Sequence, residues 1–537
     1  MKKTKNSRSH GSDFLDACSL NLAYPLIENS ILHIINLSIE EGTVPNAWKE
    51  QLVHPLYKKD DAMNGENYRP VSHITEISKL LEYAVHEQVY EHFSANNLFH
   101  SNHHGFIKDC STSTALAQLY DLWLSSAEKK KITGTLLLDL SSALDVVDHS
   151  IFLNKLKCYG FSSGALDWFA SYLGNRQHII QVGNKFSKPA QVGDYGIPQG
   201  SILGPLVFII FGNDFPASSE EGEAVMYCDD DTENASGDDP EEVKEKIQRE
   251  ADRATDWAQD NKMICAGGKT KLLLIGTKQL KRAKLNGPDK IKIKVCGVDV
   301  EESESEKLLG LVINNNLTWP DYLHGEWRTN NNFSGLIHQL SRRIGFLNRV
   351  VHLMPAQRFK LVVNGLFHSK LVYCLHVFGN VWGLTPNDET DRRYLAFTKL
   401  DNHRLQVLQN QSMRLLLGAR KDEPTVKLLN ETKSLSVHQL TAFSTLVSIQ
   451  KVFHKQRPEY FFKKLEAARN NNGVQSTRQS DSLRLEGNLT LTRGGYLYRA
   501  CTLWNKLPAE FKGDMTSMKF KKIIKDWIIA NIKWKPP

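Results

Sequence analysis

The run TLLLDL at residues 135–140 is apolar except for one acid, Asp139, near its end. A short and nearly continuous apolar run is typical of a strand that is buried on both faces of its sheet. Such a strand needs a covering layer on each side, so the chain must build a sheet with other elements packed on it. An acid inside a buried strand is costly unless something binds it, which makes Asp139 a candidate functional residue.

A second apolar run also ends in acids. The stretch EAVMYCDDD at residues 223–231 places three aspartates directly after a predicted strand. If the two strands are neighbours in one sheet, Asp139 lies beside Asp229 and Asp230. Three converging carboxylates would take up protons unless divalent cations bind among them. Oxygen ligands favour Mg²⁺ or Mn²⁺ over zinc, and two such ions about 4 Å apart are the usual arrangement for nucleotidyl transfer.

Other strands and helices follow without a regular βαβ rhythm. The sequence pattern predicts three further strands, at residues 51–57, 271–276 and 290–295. It also predicts three amphipathic helices, at residues 20–40, at residues 74–93 and from Pro240 onward. From about residue 333 the pattern is almost wholly helical and ends in an amphipathic helix at residues 517–532. The sequence therefore predicts an α+β protein with a mainly helical C-terminal half.

The composition excludes several classes of protein. Of 537 residues, 41% are hydrophobic and 24% charged, which indicates a folded chain with more than one domain. The eight cysteines are far apart and form no CxxC pair, so we expect reduced thiols without a disulfide framework or zinc site. No apolar run has the length of a membrane span, and no signal sequence follows the first residues. We therefore expect an intracellular protein, nuclear or cytoplasmic, with no membrane partner.

A series of ordered motifs resembles those of reverse transcriptases, and more closely those of jockey-like and other LINE-type (non-LTR) retrotransposons. The central motifs are LLLDLSSALDVVDH at 136–149, GIPQGSILGPLVFIIFGNDFP at 196–216 and YCDD at 227–230. The flanking motifs, in chain order, are LYKKDD and NYRPVS within 56–72, GFIKDCSTSTAL at 105–116, WAQDNKMICAGGKTKLLLIG at 257–276, KLLGLVINNNLTW at 307–319, LSRRIGFLNRV at 340–350 and YLYRACTLWNKLP at 496–508. The resemblance covers roughly residues 20–530.

The resemblance implies a right-hand polymerase with fingers, a mixed-sheet palm, a helical thumb and a mainly helical C-terminal domain. The expected segments are a disordered tail at 1–19, an N-terminal helix and fingers at 20–135, the palm at 136–320, the thumb at 333–418 and the C-terminal domain at 419–537, with a flexible linker at 469–488. The reverse transcriptase domain as a whole is expected at about residues 39–314. Elements of this kind carry an endonuclease domain ahead of the polymerase, and this chain begins within the polymerase region, so we expect no autonomous target nicking.

The resemblance also implies roles for individual residues. Asp139, Asp229 and Asp230 would bind two Mg²⁺ ions, or Mn²⁺, in agreement with the argument from the carboxylates. The other implied roles are triphosphate binding for Lys58 or Lys59 and Arg69, contact with template and nucleotide for Gln199 and Gly200, the steric gate under the sugar for Leu144, and protonation of the leaving pyrophosphate for Lys269. The implied activity is synthesis of DNA from dNTPs on an RNA template, starting at the 3′-hydroxyl of a DNA primer. No protein partner is indicated.

Several positions depart from the family pattern, and three of them bear most directly on activity. The gate is usually Phe or Tyr where this chain has Leu144, a basic residue is common at the position of Ile107, and Thr is usual at that of Asp231. These departures leave open a second interpretation, in which a degenerate or domesticated element protein binds RNA without copying it. An intron-encoded maturase is a further alternative, which the C-terminal matches disfavour.

Some polar residues near the motifs are predicted to have structural roles. Asp145, Asp148 and His149 are interpreted as polar groups at the strand end and not as catalysts. The stretch HSNHHG at residues 100–105 has no partners at metal-ligand spacing, so it is predicted to be a solvated loop near nucleic acid.

Overall fold

The computed structural model of the chain divides into two units, each assembled from separate stretches of sequence. The first unit comprises Met1–Phe106, Asp139–Glu220 and Asp252–Gly267, and the second comprises Ile107–Leu138, Glu221–Ala251 and Gly268–Pro537. The structure describes residues 8–58, 60–284, 290–325, 334–381, 398–470, 482–485 and 495–532. Each unit contains both sheet and helix, which confirms the predicted α+β class.

The described residues form strands and helices close to those predicted from periodicity. The strands are β1 (Glu50–Tyr57), β2 (Tyr68–His73), β3 (Ile132–Ser141), β4 (Gln177–Val182), β5 (Lys185–Phe186), β6 (Ala190–Gln191), β7 (Glu223–Tyr227), β8 (Asp230–Gly237), β9 (Ile264–Cys265), β10 (Lys271–Ile275), β11 (Lys292–Val295), β12 (Val298–Ser303), β13 (Ser305–Leu308) and β14 (Leu311–Asn314). The helices of the first two thirds are α1 (Ala17–Glu40), α2 (Glu76–Ala95), α3 (Thr112–Glu128), α4 (His149–Cys158), α5 (Ser163–Leu173), α6 (Gly204–Phe211), α7 (Pro240–Asp260), α8 (Lys278–Lys284), α9 (Pro320–His324) and α10 (Leu336–Val350). The remaining helices are α11 (Ala356–Val363), α12 (Ser369–Val372), α13 (Leu375–Phe378), α14 (Lys399–Leu417), α15 (Thr425–Thr432), α16 (Val437–Lys455), α17 (Glu459–Asn470), α18 (Tyr496–Asn505) and α19 (Ser517–Asn531).

The first unit contains a five-stranded sheet in the order β2-β1-β4-β5, with β6 also paired to β4. Strands β1 and β2 form an antiparallel hairpin, whereas β1 and β4 run parallel. Helix α2 begins after its N-cap Thr75, whose side chain accepts a hydrogen bond from the N–H of Ser78. Its apolar residues Leu81, Val85 and Val89 are buried, which confirms the amphipathic helix predicted at residues 74–93.

The second unit contains most of a larger sheet with the strand order β11-β12-β10-β3-β8-β7. Every residue of β3 from Ile132 to Leu138 is buried, as its apolar sequence predicts. On one face, Val243 and Ile247 of α7 pack on Gly134, where an added Cβ would lie 2.8 Å from the Val243 side chain. Helix α7 therefore covers one face, and because successive residues of β3 point to opposite faces and those from Ile132 to Leu138 are all buried, the predicted burial of both faces is confirmed.

One hydrophobic core extends through the second unit. It includes Ala115 of α3, Leu273 of β10, Leu405 of α14, Leu446 of α16 and Ile524 of α19. The core contains side chains from the predicted palm, thumb and C-terminal segments without a break at residues 418–419. The predicted boundaries between those segments remain predictions.

One helical stretch among the described residues, Ala356–Phe378, is long and apolar enough to cross a membrane, with a mean hydropathy of 1.3. Its residues Phe359, Val363, Phe367 and Leu371 are buried in the core of the second unit. Of its most apolar window, 39% is buried, so packing in the core explains part of its apolar composition.

Three sequence predictions require correction. The tail predicted for residues 1–19 is too long, because α1 begins at Ala17. The linker predicted for residues 469–488 starts too early, since α17 continues to Asn470, and most of that linker lies outside the described residues. The stretch at residues 100–105 is not a solvated loop, because His103 and His104 are each only 1% exposed.

The burial of this histidine-rich stretch depends on a distant side chain. Asn213 accepts a hydrogen bond from the N–H of His100 at 2.9 Å and donates one to the carbonyl of Leu98 at 2.8 Å. These bonds satisfy backbone groups that would otherwise require water, so the turn can lie inside the unit. The partner is more than one hundred residues away, and local sequence carries no signal for it.

Candidate active site

The PQG loop, residues 198–200, lies directly against strand β2. The N–H of Ser72 donates to the carbonyl of Gln199 at 2.7 Å. Gly200 has a φ of +120°, and an added Cβ would lie 2.4 Å from the carbonyl oxygen of Ser72. Only glycine accepts both this conformation and this approach, which explains the residue type at the position.

The same loop is bonded to the turn that follows β3. The side-chain amide of Gln199 donates to Oδ1 of Asp145 at 2.7 Å, and the N–H of Ile197 donates to the carbonyl of Leu144 at 2.9 Å. Leu144 is half-buried at this junction. The structure thus brings the predicted gate residue and the predicted loop together within the first unit.

Two of the basic residues predicted to bind the triphosphate lie on the β1–β2 hairpin. Arg69 is paired with Leu56 in the antiparallel register, and the N–H of Lys58 donates to the carbonyl of Asn67 at 2.8 Å. Directly paired positions and positions two apart share a face, so Lys58 and Arg69 lie on one face of the hairpin. Both residues are exposed, as binding a triphosphate would require. Lys59 lies outside the described residues.

Asp139 is half-buried near the end of β3 and belongs to the first unit. Its carbonyl accepts a hydrogen bond from the N–H of Ala266 at 2.9 Å, next to the pairing of Leu140 with Cys265 in β9. The backbone at Asp139 is therefore held on one side by β9. Asp139 is half-buried near the end of the strand, so desolvation costs its carboxylate less free energy than it would at the fully buried positions 132–138.

The other predicted catalytic residues belong to the second unit. Asp229 lies in the turn between β7 and β8, and Asp230 is the first residue of β8, paired with Tyr227. Both carboxylates are exposed, and Cys228 enables the tight turn with a φ of +62°. Lys269 is exposed in the turn that precedes β10.

The tip of the β7–β8 hairpin carries a strong negative potential. Burial, together with the charges of Asp229, Asp230 and Asp231, raises the pKa of the Cys228 thiol to about 12. Asp231 is 2% exposed, neither of its carboxylate oxygens has a hydrogen-bond partner, and burial and the neighbouring acids raise its pKa well above the usual range. Oxygen-only donors with this excess of negative charge fit a divalent cation.

Within the second unit, side-chain hydrogen bonds align β3 with β8. The hydroxyl oxygens of Thr133 and Ser236 lie 2.8 Å apart, and the Thr135 hydroxyl donates to Oδ1 of Asn234 at 2.9 Å. A step of two residues toward the end of β3 therefore corresponds to a step of two toward the start of β8. This is an antiparallel register.

Among the described residues, no group of three or more His, Cys, Asp or Glu side chains is gathered closely enough to hold a metal ion. Asp139 belongs to one unit, and Asp229 and Asp230 belong to the other. The convergence of these three carboxylates therefore stays a prediction.

Comparison with known proteins identifies the family that part of the chain matches. The model of the reverse transcriptase (RNA-dependent DNA polymerase) family matches residues 57–313. The chain carries a reverse transcriptase domain. Every candidate site residue named above lies within that range. The expected domain bounds of about residues 39–314 stay a prediction.

Several relatives of the reverse transcriptase domain come from mobile elements of insects. The probable RNA-directed DNA polymerase from transposon BS of Drosophila melanogaster is 24% identical over 400 residues, which cover 73% of this chain and 40% of that protein. The RNA-directed DNA polymerase from mobile element jockey of Drosophila funebris is 23% identical over 435 residues, 78% of this chain and 43% of that protein. The aligned part of this chain thus spans about two fifths of the length of these relatives. Both names describe RNA-directed DNA polymerases of mobile elements, and the second names jockey itself.

Among solved structures, telomerase from Candida tropicalis in complex with a fragment of telomeric RNA aligns over 95% of this chain and 68% of its own. The sequence identity is 10%, and the TM-score is 0.37.

Sequence reasoning missed two residues that hold the PQG loop of the reverse transcriptase domain. Asp145 accepts the hydrogen bond from Gln199, although it was expected to be only a structural polar group. Glu82 of α2 accepts hydrogen bonds from the N–H groups of Ile202 and Leu203 just beyond the loop. The role of Asp145 could have been predicted, because it directly follows the predicted gate residue Leu144. For Glu82, the sequence showed only that an acid lies on the apolar side of a helix.

Proposed function

We propose that this chain is an RNA-directed DNA polymerase that extends the 3′-hydroxyl of a DNA primer on an RNA template with dNTPs. The observation that carries the proposal is the position of the PQG loop in the first unit. It is bonded to β2, which also bears Arg69, and to the turn that bears Leu144. A nucleotide bound along this loop would have cations for its phosphates and an apolar side chain for its sugar.

We propose that Asp139, Asp229 and Asp230 hold the divalent cations on which reverse transcriptase domains depend. The positions of Asp229 and Asp230 support this assignment within the second unit, because both carboxylates are exposed where β7 turns into β8. The negative potential at Cys228 and Asp231 supports it as well. When bound, two Mg²⁺ or Mn²⁺ ions would activate the primer hydroxyl and stabilise the pyrophosphate that leaves.

The other residues of the site have defined tasks in this proposal. Lys58, Lys59 and Arg69 bind the triphosphate of the incoming dNTP through charge-assisted hydrogen bonds. Gln199 and Gly200 lie against the nucleotide and its template base. Lys269 donates a proton to the pyrophosphate as it departs, which is general acid catalysis.

The nucleic acid partners would be bound mainly through their backbones. The formal charge of +7 favours a polyanionic partner, and contacts to phosphates are largely independent of base sequence. We propose an RNA template and a DNA primer as these partners, and an intracellular location, nuclear or cytoplasmic, because both occur there.

A primer-extension assay on an RNA template tests the polymerase activity. We expect extension with Mg²⁺ or Mn²⁺, loss of extension with a chelator, and loss of at least about a thousandfold in Asp229→Asn, because a carboxylate ligand is removed. The matched control is Asp238→Asn, an exposed acid on the next loop of the same unit, which should retain activity within about twofold. Equal activity of the wild type and Asp229→Asn would contradict the proposal.

A second function, binding of RNA without catalysis, is favoured by two observations. Asp231, where the family usually has Thr, is a buried acid without a partner beside the proposed metal ligands. Ile107, where a basic residue is common, is only 3% exposed, so it offers no charge to a template. If the wild type binds RNA but extends no primer with either metal, the binding function replaces the polymerase.

A further inference from the structure

Glu82 is a buried acid whose bonds reach a segment 120 residues away in the chain. It is 1% exposed on α2. Its Oε2 accepts hydrogen bonds from the N–H groups of Ile202 at 2.6 Å and Leu203 at 3.2 Å. Its Oε1 accepts one from the hydroxyl of Tyr172 at 2.8 Å. All four residues belong to the first unit.

The two N–H groups lie where the PQG loop ends and α6 begins. Helix α6 starts at Gly204, and its N-cap residue Leu203 has no side chain that can accept a hydrogen bond. The first N–H groups at a helix start have no partner inside the helix and need an acceptor from elsewhere. Glu82 supplies an acceptor from another helix to the N-cap residue Leu203 and to Ile202 just before it, and its negative charge is favourable at the positive end of α6.

The loop is thus held on two sides. On one side, Ser72 and Asp145 bind the backbone and the side chain of Gln199. On the other side, Glu82 binds the backbone two and three positions after Gly200. Between the two, the Ser201 hydroxyl donates to the carbonyl of Pro198 and accepts from the N–H of Gly204. Without Glu82, the chain after Gly200 loses its acceptor outside the loop.

We propose that Glu82 is a positioning residue that fixes the PQG loop, and so places Gln199 and Gly200 for binding of the incoming nucleotide. This proposal rests on the polymerase function proposed above. Glu82 does not touch the nucleotide and acts only through the backbone of Ile202 and Leu203.

The cost of burying Glu82 argues against a role in packing alone. Burial raises the pKa of its carboxyl, while Arg176, Tyr172 and the two N–H groups act in the opposite direction. An apolar residue of similar size would fill the same space without that cost. Arg176 is itself 3% exposed, and its guanidinium lies 4.4 Å from the ring centroid of Tyr172. A second charged side chain is therefore buried beside the bond between Tyr172 and Glu82.

Three variants separate positioning from stability. Glu82→Met keeps the length and volume of the side chain but removes both acceptor oxygens. Glu82→Gln keeps one acceptor oxygen for the N–H groups. Leu81→Ala is the control, because Leu81 is equally buried on the same helix and has no polar atom. Each variant is made in the full chain and compared with the wild type.

The first measurement is deuterium uptake by peptides that cover residues 198–206. We expect uptake to become at least about tenfold faster in Glu82→Met and to stay within about threefold of the wild type in Glu82→Gln. In Leu81→Ala, uptake by these peptides should rise no more than uptake by peptides from the rest of the first unit. Unchanged uptake in Glu82→Met overturns the proposal. This readout does not depend on activity, so it decides the role of Glu82 in the loop even if the wild type extends no primer.

The second measurement is the steady-state kinetics of primer extension. We expect KM for dNTP to rise about tenfold in Glu82→Met with kcat within about threefold, and Glu82→Gln to restore KM. In Leu81→Ala, we expect KM to stay constant while activity falls with the folded fraction. If Glu82→Met behaves like Leu81→Ala, Glu82 is a structural residue only and the proposal fails.

Discussion

The side-chain amide of Gln199 donates a hydrogen bond to Oδ1 of Asp145 across 2.7 Å. This bond joins the PQG loop to the segment that carries both Asp139 and Leu144. A glutamine side chain has three rotatable bonds, and fixing it before the nucleotide arrives removes an entropic cost from binding. Asp145 therefore contributes to the site by orienting Gln199.

Replacing Asp145 is expected to impair nucleotide use without a large loss of stability. In Asp145→Ala the amide of Gln199 loses its acceptor, and we expect kcat/KM for dNTP to fall about tenfold, equivalent to about 1.4 kcal/mol. The control is Asp148→Ala, since Asp148 caps α4 and pairs with Lys262. That variant should lose about 1 kcal/mol of unfolding free energy with kcat/KM within about threefold. Equal kinetic effects of the two variants would contradict the role of Asp145.

The gate position gives a second prediction. Leu144 is smaller than the Phe or Tyr usual in the family and is half-buried beside the PQG loop. In Leu144→Phe the larger ring should exclude a 2′-hydroxyl, so we expect the preference for dNTPs over rNTPs to rise at least about tenfold. Leu144→Met, which conserves volume, is the control and should leave the ratio within about twofold. An unchanged ratio in Leu144→Phe would show that the side chain does not lie under the sugar.

The sequence predicted those parts of the fold that depend on local pattern. Strand β3 has an apolar run that can be satisfied only between two covered faces, and α7 begins at Pro240 after Asp239, whose carboxylate accepts from the N–H of Glu242. These signals lie within a few residues of their effects. The residue types at Gly200, Lys58 and Arg69 were likewise visible in motifs.

The sequence could not predict contacts between distant segments. From the sequence, Glu82 is an ordinary polar residue of a helix and His103 an ordinary polar residue of a loop. Both are buried in the structure. Glu82 finds its partners in Ile202 and Leu203, and the backbone of the turn that contains His103 is bonded at His100 by Asn213. These partners lie more than one hundred positions away. Polar burial is decided by the supply of hydrogen-bond partners, and that supply is a property of the folded chain.

His103 is expected to make stability depend on pH. Both of its ring nitrogens lack a partner, and burial, followed by the charges of His104 and His100, lowers its pKa from 6.5 to about 3. The unfolded chain therefore binds a proton below pH 6.5 that the folded chain does not bind. The stability from neutral His103 is complete above pH 6.5 and is lost as the pH falls toward 3. Between pH 7.5 and pH 5 the loss should be about 2 kcal/mol.

Urea unfolding at these two pH values checks this prediction. In His103→Leu the acid-dependent loss should be about 2 kcal/mol smaller than in the wild type, because no group remains to be protonated on unfolding. His33→Leu is the control, since His33 is exposed on α1 of the same unit, and it should keep the dependence of the wild type. Parallel pH profiles for the wild type and His103→Leu would rule out a neutral buried His103.

The last prediction concerns Asp121 of α3 and Lys464 of α17, which are paired at 2.7 Å in the second unit. Asp121 is 5% exposed and also accepts from the hydroxyl of Tyr460 at 2.8 Å, so Asp121→Ala leaves a cation and a hydroxyl without their acceptor. We expect a loss of about 2–4 kcal/mol in urea unfolding. Lys463→Ala removes a neighbouring but exposed pair with Glu459 and should cost at most about 0.5 kcal/mol. Similar losses in the two variants would mean that Asp121 is not what holds α17 against α3, because an exposed pair contributes almost nothing.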